Sequence, residues 1–214
     1  MAGKAPRRTQ EERRATTRAK LLEAASACLL ERGYAATTVG EVQQRAGVAR
    51  GTLLHHFPTK AELMVAATAY VVDQRISQFR DRVRNLPPGP SAVSDVVDLA
   101  WQDLNSPVFF TALELWVAAR TDDELRTRLA PEEERLFRDM RASYASVLGH
   151  LADNPAAATV VELTIDVLTG LSITTMVTGS LGERAPLVER WKRAVAVLLG
   201  DLEPARFLPE TRSS

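Results

Sequence analysis

Thr38, Arg50, Thr52, His55, His56 and Lys60 fall within one short stretch of the chain, opposed there only by Glu41 and Glu62. Hydroxyl, guanidinium, imidazole and ammonium groups at this density are donors, and their natural acceptors are phosphate oxygens and the edges of nucleic-acid bases. Arg50, Thr52 and His55 are the candidates for reading bases, with Ala49 and Gly51 small enough to allow close approach. Arginine bidentate to guanine is the commonest base-specific contact, which makes Arg50 the leading reader; a phosphate contact is its alternative. Lys60 is a phosphate candidate, and so is Thr38, whose hydroxyl stands at a helix start where free amides also attract an anion. Adjacent residues on a helix point about 100° apart, so His55 and His56 do not form a metal site without further ligands, and none accompany them.

These groups need short, well-bounded elements to present them. Thr38 and Glu41 form a T-x-x-E capping box, which predicts a helix start near Val39. Val39, Val42 and Ala46 give that helix one narrow apolar face, and Gly47 stops it. The segment from Ala49 to His56 is too short to be stable alone, so its neighbours must hold it. Two short helices around a glycine turn are the makings of a helix-turn-helix, whose second helix enters the DNA major groove.

The stretch closely resembles the DNA-binding domain of the TetR/AcrR family of bacterial transcription regulators. The residues that carry the resemblance are Thr37-Thr38, Ala46-Gly47-Val48, Gly51-Thr52-Leu53, Phe57-Pro58, Lys60 and Glu62-Leu63. Leu21-Leu22 with Ala24-Ala25, leading to Glu31-Arg32-Gly33-Tyr34, extends it backwards. The resemblance covers about residues 15 to 75. It implies that Thr38 and Lys60 meet phosphate and that Thr52 and His56 touch the DNA backbone. Leu54 departs from the family, which usually has tyrosine there; leucine offers only apolar contact, for instance to a thymine methyl.

The whole chain sets wider bounds. No net charge remains over 214 residues, yet residues 1–60 carry 11 Lys or Arg against 5 Asp or Glu. A basic N-terminal part joined to an acidic remainder points to a polyanion binder fused to something that is not one. The single cysteine, Cys28, excludes an internal disulfide and a cysteine-rich zinc site. The N-terminus lacks a secretory signal, and no run of 18 apolar residues suggests a membrane span, so a cytoplasmic location is expected. No glycine-rich phosphate loop, nucleophile motif or metal-spaced cluster occurs, so neither an enzyme nor a cofactor is expected.

Helix starts recur along the chain: Thr59 with Glu62, Thr121 with Glu124, Ser106-Pro107, Asn154-Pro155, Pro131 and Pro186. Strand alternation and hairpin dipeptides are missing. The fold class predicted is all-α, with about nine helices near 13–32, 38–46, 49–56, 60–85, 92–104, 107–119, 122–150 (interrupted at Pro131), 155–181 and 186–200. Residues 1–14 read as a disordered basic arm, able to reach the minor groove or merely solubilising. Residues 15–75 read as a three-helix helix-turn-helix domain, 76–205 as a larger effector-binding and dimerisation domain, and 206–214 as a tail. The 60–85 helix crosses this boundary and is a lever between the two parts.

Segment 107–119 is apolar nearly all round and must be enclosed. Phe109, Phe110, Leu113 and Trp116, with Trp101, Leu104, Met140, Tyr144 and Met176, either line a ligand pocket or form packed core. Many relatives bind small effectors here, which the resemblance extends to this chain. Glu114 and Asp166 are polar candidates within the same region; Glu114 either orients a ligand or pairs with Arg120. Segment 155–181 has two apolar stripes, Val160, Leu163, Val167, Leu171 and Thr174, and Val161, Ile165, Leu168 and Ser172. One can face the core while the other meets a partner. Leu187, Trp191, Val195 and Leu198 follow at helical spacing, and the resemblance implies a four-helix homodimer interface from these last two helices. The implied function is a homodimeric repressor that binds an inverted-repeat operator and is released by a small, largely apolar effector. An activator, or an effector-binding protein that has lost DNA recognition, is the alternative.

Overall fold

A computed structural model describes residues 9–87, 92–145, 156–179 and 182–200. The described residues form nine α-helices and no strand: α1 Gln10–Ala36, α2 Val39–Ala46, α3 Arg50–His56, α4 Lys60–Arg84, α5 Ala92–Leu104, α6 Pro107–Ala119, α7 Asp123–Ala145, α8 Ala157–Thr178 and α9 Ala185–Leu198. The all-α expectation holds. Residues 1–8 of the basic arm, the 206–214 tail, His150, the Asn154-Pro155 cap and the Tyr144 side chain lie outside the described residues.

Two expectations about helix bounds need correction. α1 begins at Gln10, because Thr9 and Glu12 make a reciprocal capping box: Glu12 N–H donates to Thr9 Oγ1 at 3.2 Å and Thr9 N–H to Glu12 Oε2 at 2.8 Å. Arg13 and Arg14 therefore belong to a helix, not to a disordered arm. α7 runs through Pro131 instead of breaking there. Proline removes one backbone bond and crowds the carbonyl four residues back; Leu125 and Leu129, buried on the turns before it, hold that part of α7 in place. The cap of α7 is Asp122, which accepts from Leu125 N–H at 2.9 Å, while Thr121 is taken up by the turn that closes α6.

The chain divides into two compact units. The first comprises Met1–Val72 and Thr111–Glu133. Its core joins Leu21, Leu29, Val42, Leu53, Leu63 and Met64 to Leu115, Ala119, Leu125 and Leu129, so the ends of α6 and α7 help to roof the N-terminal helices. The second comprises Asp73–Phe110 and Glu134–Ser214. There Phe79, Val96, Val97 and Leu104 pack with Val161, Ile165, Leu168 and Val188. Asn105 ties the end of α5 to α8, accepting from Thr175 Oγ1 at 2.8 Å and from Ser172 Oγ at 3.2 Å. Arg75 and Arg82 both reach Asp103, at 2.6 and 3.2 Å, while burial nonetheless holds its carboxyl above the usual range.

α8 meets a hydropathy criterion for a membrane span although Glu162 and Asp166 interrupt its apolar sequence. Its 22 residues reach a mean hydropathy of 1.6 over an 18-residue window, long and apolar enough to cross a bilayer by those criteria. Yet Val161, Ile165, Leu168 and Ser172 are buried in the second unit, and Glu162 pairs with Arg141 at 2.9 Å.

Leu115 is fully buried among residues of α1 to α4. Leu115→Ala is expected to destabilise the protein by about 2–5 kcal/mol, measured by urea or thermal unfolding.

Candidate nucleic-acid interface

The interface begins with the cap of α2. Glu41 N–H donates to Thr38 Oγ1 at 3.2 Å, and Glu41 Oε2 accepts from the Thr38 amide at 3.0 Å and its hydroxyl at 3.1 Å. These bonds from Thr38 hold the Glu41 carboxyl below its ordinary range, with Arg32 adding to the effect. At the other end Gly47 adopts φ 65°, ψ 36° and donates to the Gln43 carbonyl at 3.1 Å. A left-handed residue here is what lets the chain leave α2 and start α3 three residues on, and glycine reaches it without strain.

α3 is only seven residues long. Leu53 and Phe57, one helical turn apart, are 1% and 4% exposed and fasten it to the core. Ala49, Arg50, Gly51, Thr52, Leu54 and His55 are left exposed as one outward face. Leu54 is the apolar member of that face, at 41% exposure. His56 is half-buried between the two surfaces. Lys60, in the first turn of α4, has its ammonium 4.8 Å from the centre of the Tyr34 ring and 3.5 Å from the Tyr34 carbonyl.

The structure adds Arg18, which the sequence reading left out, and places Arg14 of the predicted basic arm on α1. The Arg18 guanidinium lies 5.3 Å from the centre of the Phe57 ring, against the end of α3. Burial, then the neighbouring His55, Arg14 and Arg18, lower the His56 pKa. Arg14 and Arg18 are one turn apart on α1. Both already fall within the helix expected over 13–32; what the sequence could not show is that Arg18 meets Phe57.

The remaining candidates fall as follows. Trp101, Leu104, Phe109 and Met140 belong to the core of the second unit, with Phe110 half-buried and its ring 6.1 Å from that of Phe109. Leu113 is buried and Trp116 packs against the core of the first unit. The Glu114 carboxylate accepts from the Tyr34 backbone N–H at 2.6 Å. Asp166 and Met176 are exposed on α8. Of the partner-facing candidates, Leu163, Thr174 and Leu198 are exposed, Val167, Leu171, Leu187 and Trp191 are half-buried, and Val160 and Val195 are packed together inside the second unit. Ile173 and Val177, which the sequence reading did not single out, are 46% and 88% exposed.

A helix-turn-helix within an all-α chain, with donors on the outer face of its second helix, defines a class of DNA-binding domain. Residues 21–67 match the family described as bacterial regulatory proteins, tetR family. The transcriptional regulator CymR of Pseudomonas putida is 38% identical over 129 residues, 60% of this chain and 64% of that one. TtgR of the same species is 47% identical over 60 residues, 28% of each chain. The repressor KstR2 of Mycobacterium tuberculosis is 39% identical over 66 residues, 31% of this chain and 33% of its own. The chain thus matches less than two thirds of the length of these relatives. Among solved structures, a transcriptional regulator from Pseudomonas aeruginosa superposes with a TM-score of 0.64 at 20% identity, covering 93% of this chain and 98% of its own. A TetR-family regulator from Mesorhizobium loti does so at 0.63 and 16%, covering 88% and 96%. Residues 21–67 thus match the helix-turn-helix module of the TetR family of bacterial transcription regulators.

Thr38→Ala removes the α2 cap and is expected to lower stability by about 0.5–2 kcal/mol in denaturant melts. His56 supplies a pH dependence. Its folded pKa lies below the unfolded value of 6.5, so the unfolded chain binds more protons and stability rises with pH. The contribution is lost as pH falls below 6.5 and through the lowered folded value. His56→Gln should flatten that part of the stability–pH curve, read from melting temperatures between pH 5 and 8.

Proposed function

We propose that this protein is a sequence-specific, DNA-binding transcription regulator, a repressor that grips an inverted-repeat operator as a homodimer and is released by a small, largely apolar effector. One observation carries the DNA-binding part: α3 turns Leu53 and Phe57 inward and leaves Arg50, Thr52, Leu54 and His55 exposed together. An outward face of donors on a helix held rigidly from behind is what groove reading needs. Thr38 and Lys60, at the starts of α2 and α4, supply the phosphate contacts that fix register. The similarity to regulators such as CymR and KstR2 favours the same reading.

Dimerisation follows from the need to read more than the few base pairs one short helix covers. Two copies related by a two-fold axis place recognition helices about 34–36 Å apart, or a multiple of this. The exposed apolar residues Leu163, Ile173 and Val177 on α8, with Leu198 on α9, favour that pair of helices as the interface. The effector is assigned to the helical second unit from the apolar character of the region around Phe109 and Phe110, and the cytoplasm is the compartment such a regulator works in.

The test of DNA binding is selection of bound fragments from genomic DNA, followed by anisotropy titration at two salt concentrations against scrambled sequence. Selective binding to an inverted repeat is expected; equal, weak binding to both sequences would reject the reading. On the selected fragment, Arg50→Ala should cost about 1–3 kcal/mol and relax discrimination at one base pair, whereas Lys60→Ala should weaken all sequences alike and reduce the salt slope by about one. Val177→Glu is expected to leave a monomer in sedimentation equilibrium at concentrations where the wild type is dimeric.

A further inference from the structure

Glu114 stands on an exposed position of α6, among apolar neighbours in the sequence. Oε2 accepts from the backbone N–H of Tyr34 at 2.6 Å. Tyr34 follows Gly33, where φ 74° and ψ 174° break the course of α1. Only glycine adopts that backbone conformation readily. The carboxylate also lies directly over the glycine: a Cβ at Gly33 would sit 2.5 Å from Oε2 and 3.0 Å from Oε1. The glycine backbone conformation turns the Tyr34 amide out of the helix, and the Glu114 carboxylate is the acceptor that meets it.

The residues around this corner lead straight to the candidate interface. Thr37, fully buried, donates its hydroxyl to the Gly33 carbonyl at 2.7 Å, and Thr38 beside it caps α2. The Lys60 ammonium approaches the Tyr34 carbonyl and ring as well. An amide at a break in a helix has lost its intrahelical acceptor and must find another. Here that acceptor is charged and comes from α6, a distant part of the sequence, so the bond is both strong and directional. Residues Pro107–Phe110 of α6 belong to the second compact unit and Thr111 onward to the first. Leu115 and Ala119 pack α6 into the first unit's core, and Glu114 is the α6 side chain that carries its position to the corner by a hydrogen bond.

We propose that Glu114 is the positioning residue through which α6 sets the α1–α2 corner, and with it the placement of the helix-turn-helix; its effect on DNA rests on the regulator reading above. Glu114 touches no nucleic acid in this role. It acts by holding the peptide between Gly33 and Tyr34.

The test compares full-length wild type, Glu114→Ala and Glu114→Gln by amide hydrogen exchange over residues 33–46, by thermal melting, and by affinity for the fragment selected with the wild type. Glutamine keeps an acceptor oxygen at the same reach; alanine does not. Glu114→Ala should speed exchange at Tyr34 at least about tenfold and weaken DNA binding about five- to tenfold, while exchange in the α4 core and the melting temperature stay near wild type. Glu114→Gln should restore both within about twofold. Unchanged exchange in Glu114→Ala would overturn the proposal, as would equal effects of alanine and glutamine. Should the wild type itself bind no DNA selectively, the regulator reading fails, and the exchange comparison still decides whether Glu114 holds the corner.

Discussion

A seven-residue helix cannot sustain itself in water, and the candidate interface depends on one such helix. Nucleation costs more than so few backbone bonds return, so α3 exists only because Leu53 and Phe57 are driven into the core of the first unit. That core is what the rest of the fold serves. α1 supplies Leu21 and Leu29, α4 supplies Leu63 and Met64, and α2 contributes Val42. Its closure is completed from far along the sequence by Leu115 and Ala119 of α6 and Leu125 and Leu129 of α7. The outward face of α3 is rigid because its inward face has no freedom.

Polar contacts then fix orientation more than they add stability. Arg45 reaches both Glu31 oxygens at 2.6 Å, and Arg32 pairs with Glu41, so two ion pairs connect α1 with α2. All four side chains are substantially exposed, and such pairs contribute little net free energy. Their effect is directional: they resist rotation of α2 about its own axis while the buried Val42 resists its departure. The Glu114–Tyr34 bond is likewise directional, orienting the end of α1 from α6.

Much of this was legible in the sequence because it rests on local chemistry. The Thr38–Glu41 box, the Gly47 stop and the short segment after it determine α2 and α3 almost to the residue. The Ser106-Pro107 start of α6 is equally local. The misreadings share a cause as well. The Thr9–Glu12 box sits in a basic, polar composition that resembles disorder, and Pro131 reads as a breaker although a helix pinned by buried leucines on one side tolerates it. What no local pattern could reveal is which distant residues meet. Glu114 reads as a pocket or surface carboxylate, and Trp116 as a pocket wall; the structure sets them respectively against a broken helix and against the N-terminal core. On α8 the Val161, Ile165, Leu168 and Ser172 stripe is the inward one, but Val160 is buried too, because α9 covers it.

The way the N-terminal core is completed has a consequence for recombination. A cut near residue 75, where the helix-turn-helix resemblance ends, would separate Leu21, Leu53 and Leu63 from Leu115, Ala119, Leu125 and Leu129, which pack in the same cluster. A chimera joined there to the remainder of a relative inherits foreign side chains over its most buried surface. Grafts that carry these four residues along with the reading head keep its core intact. The unit that can be exchanged between such proteins is therefore not a contiguous stretch of gene, and a lineage that shuffles reading heads must co-adapt two separated segments.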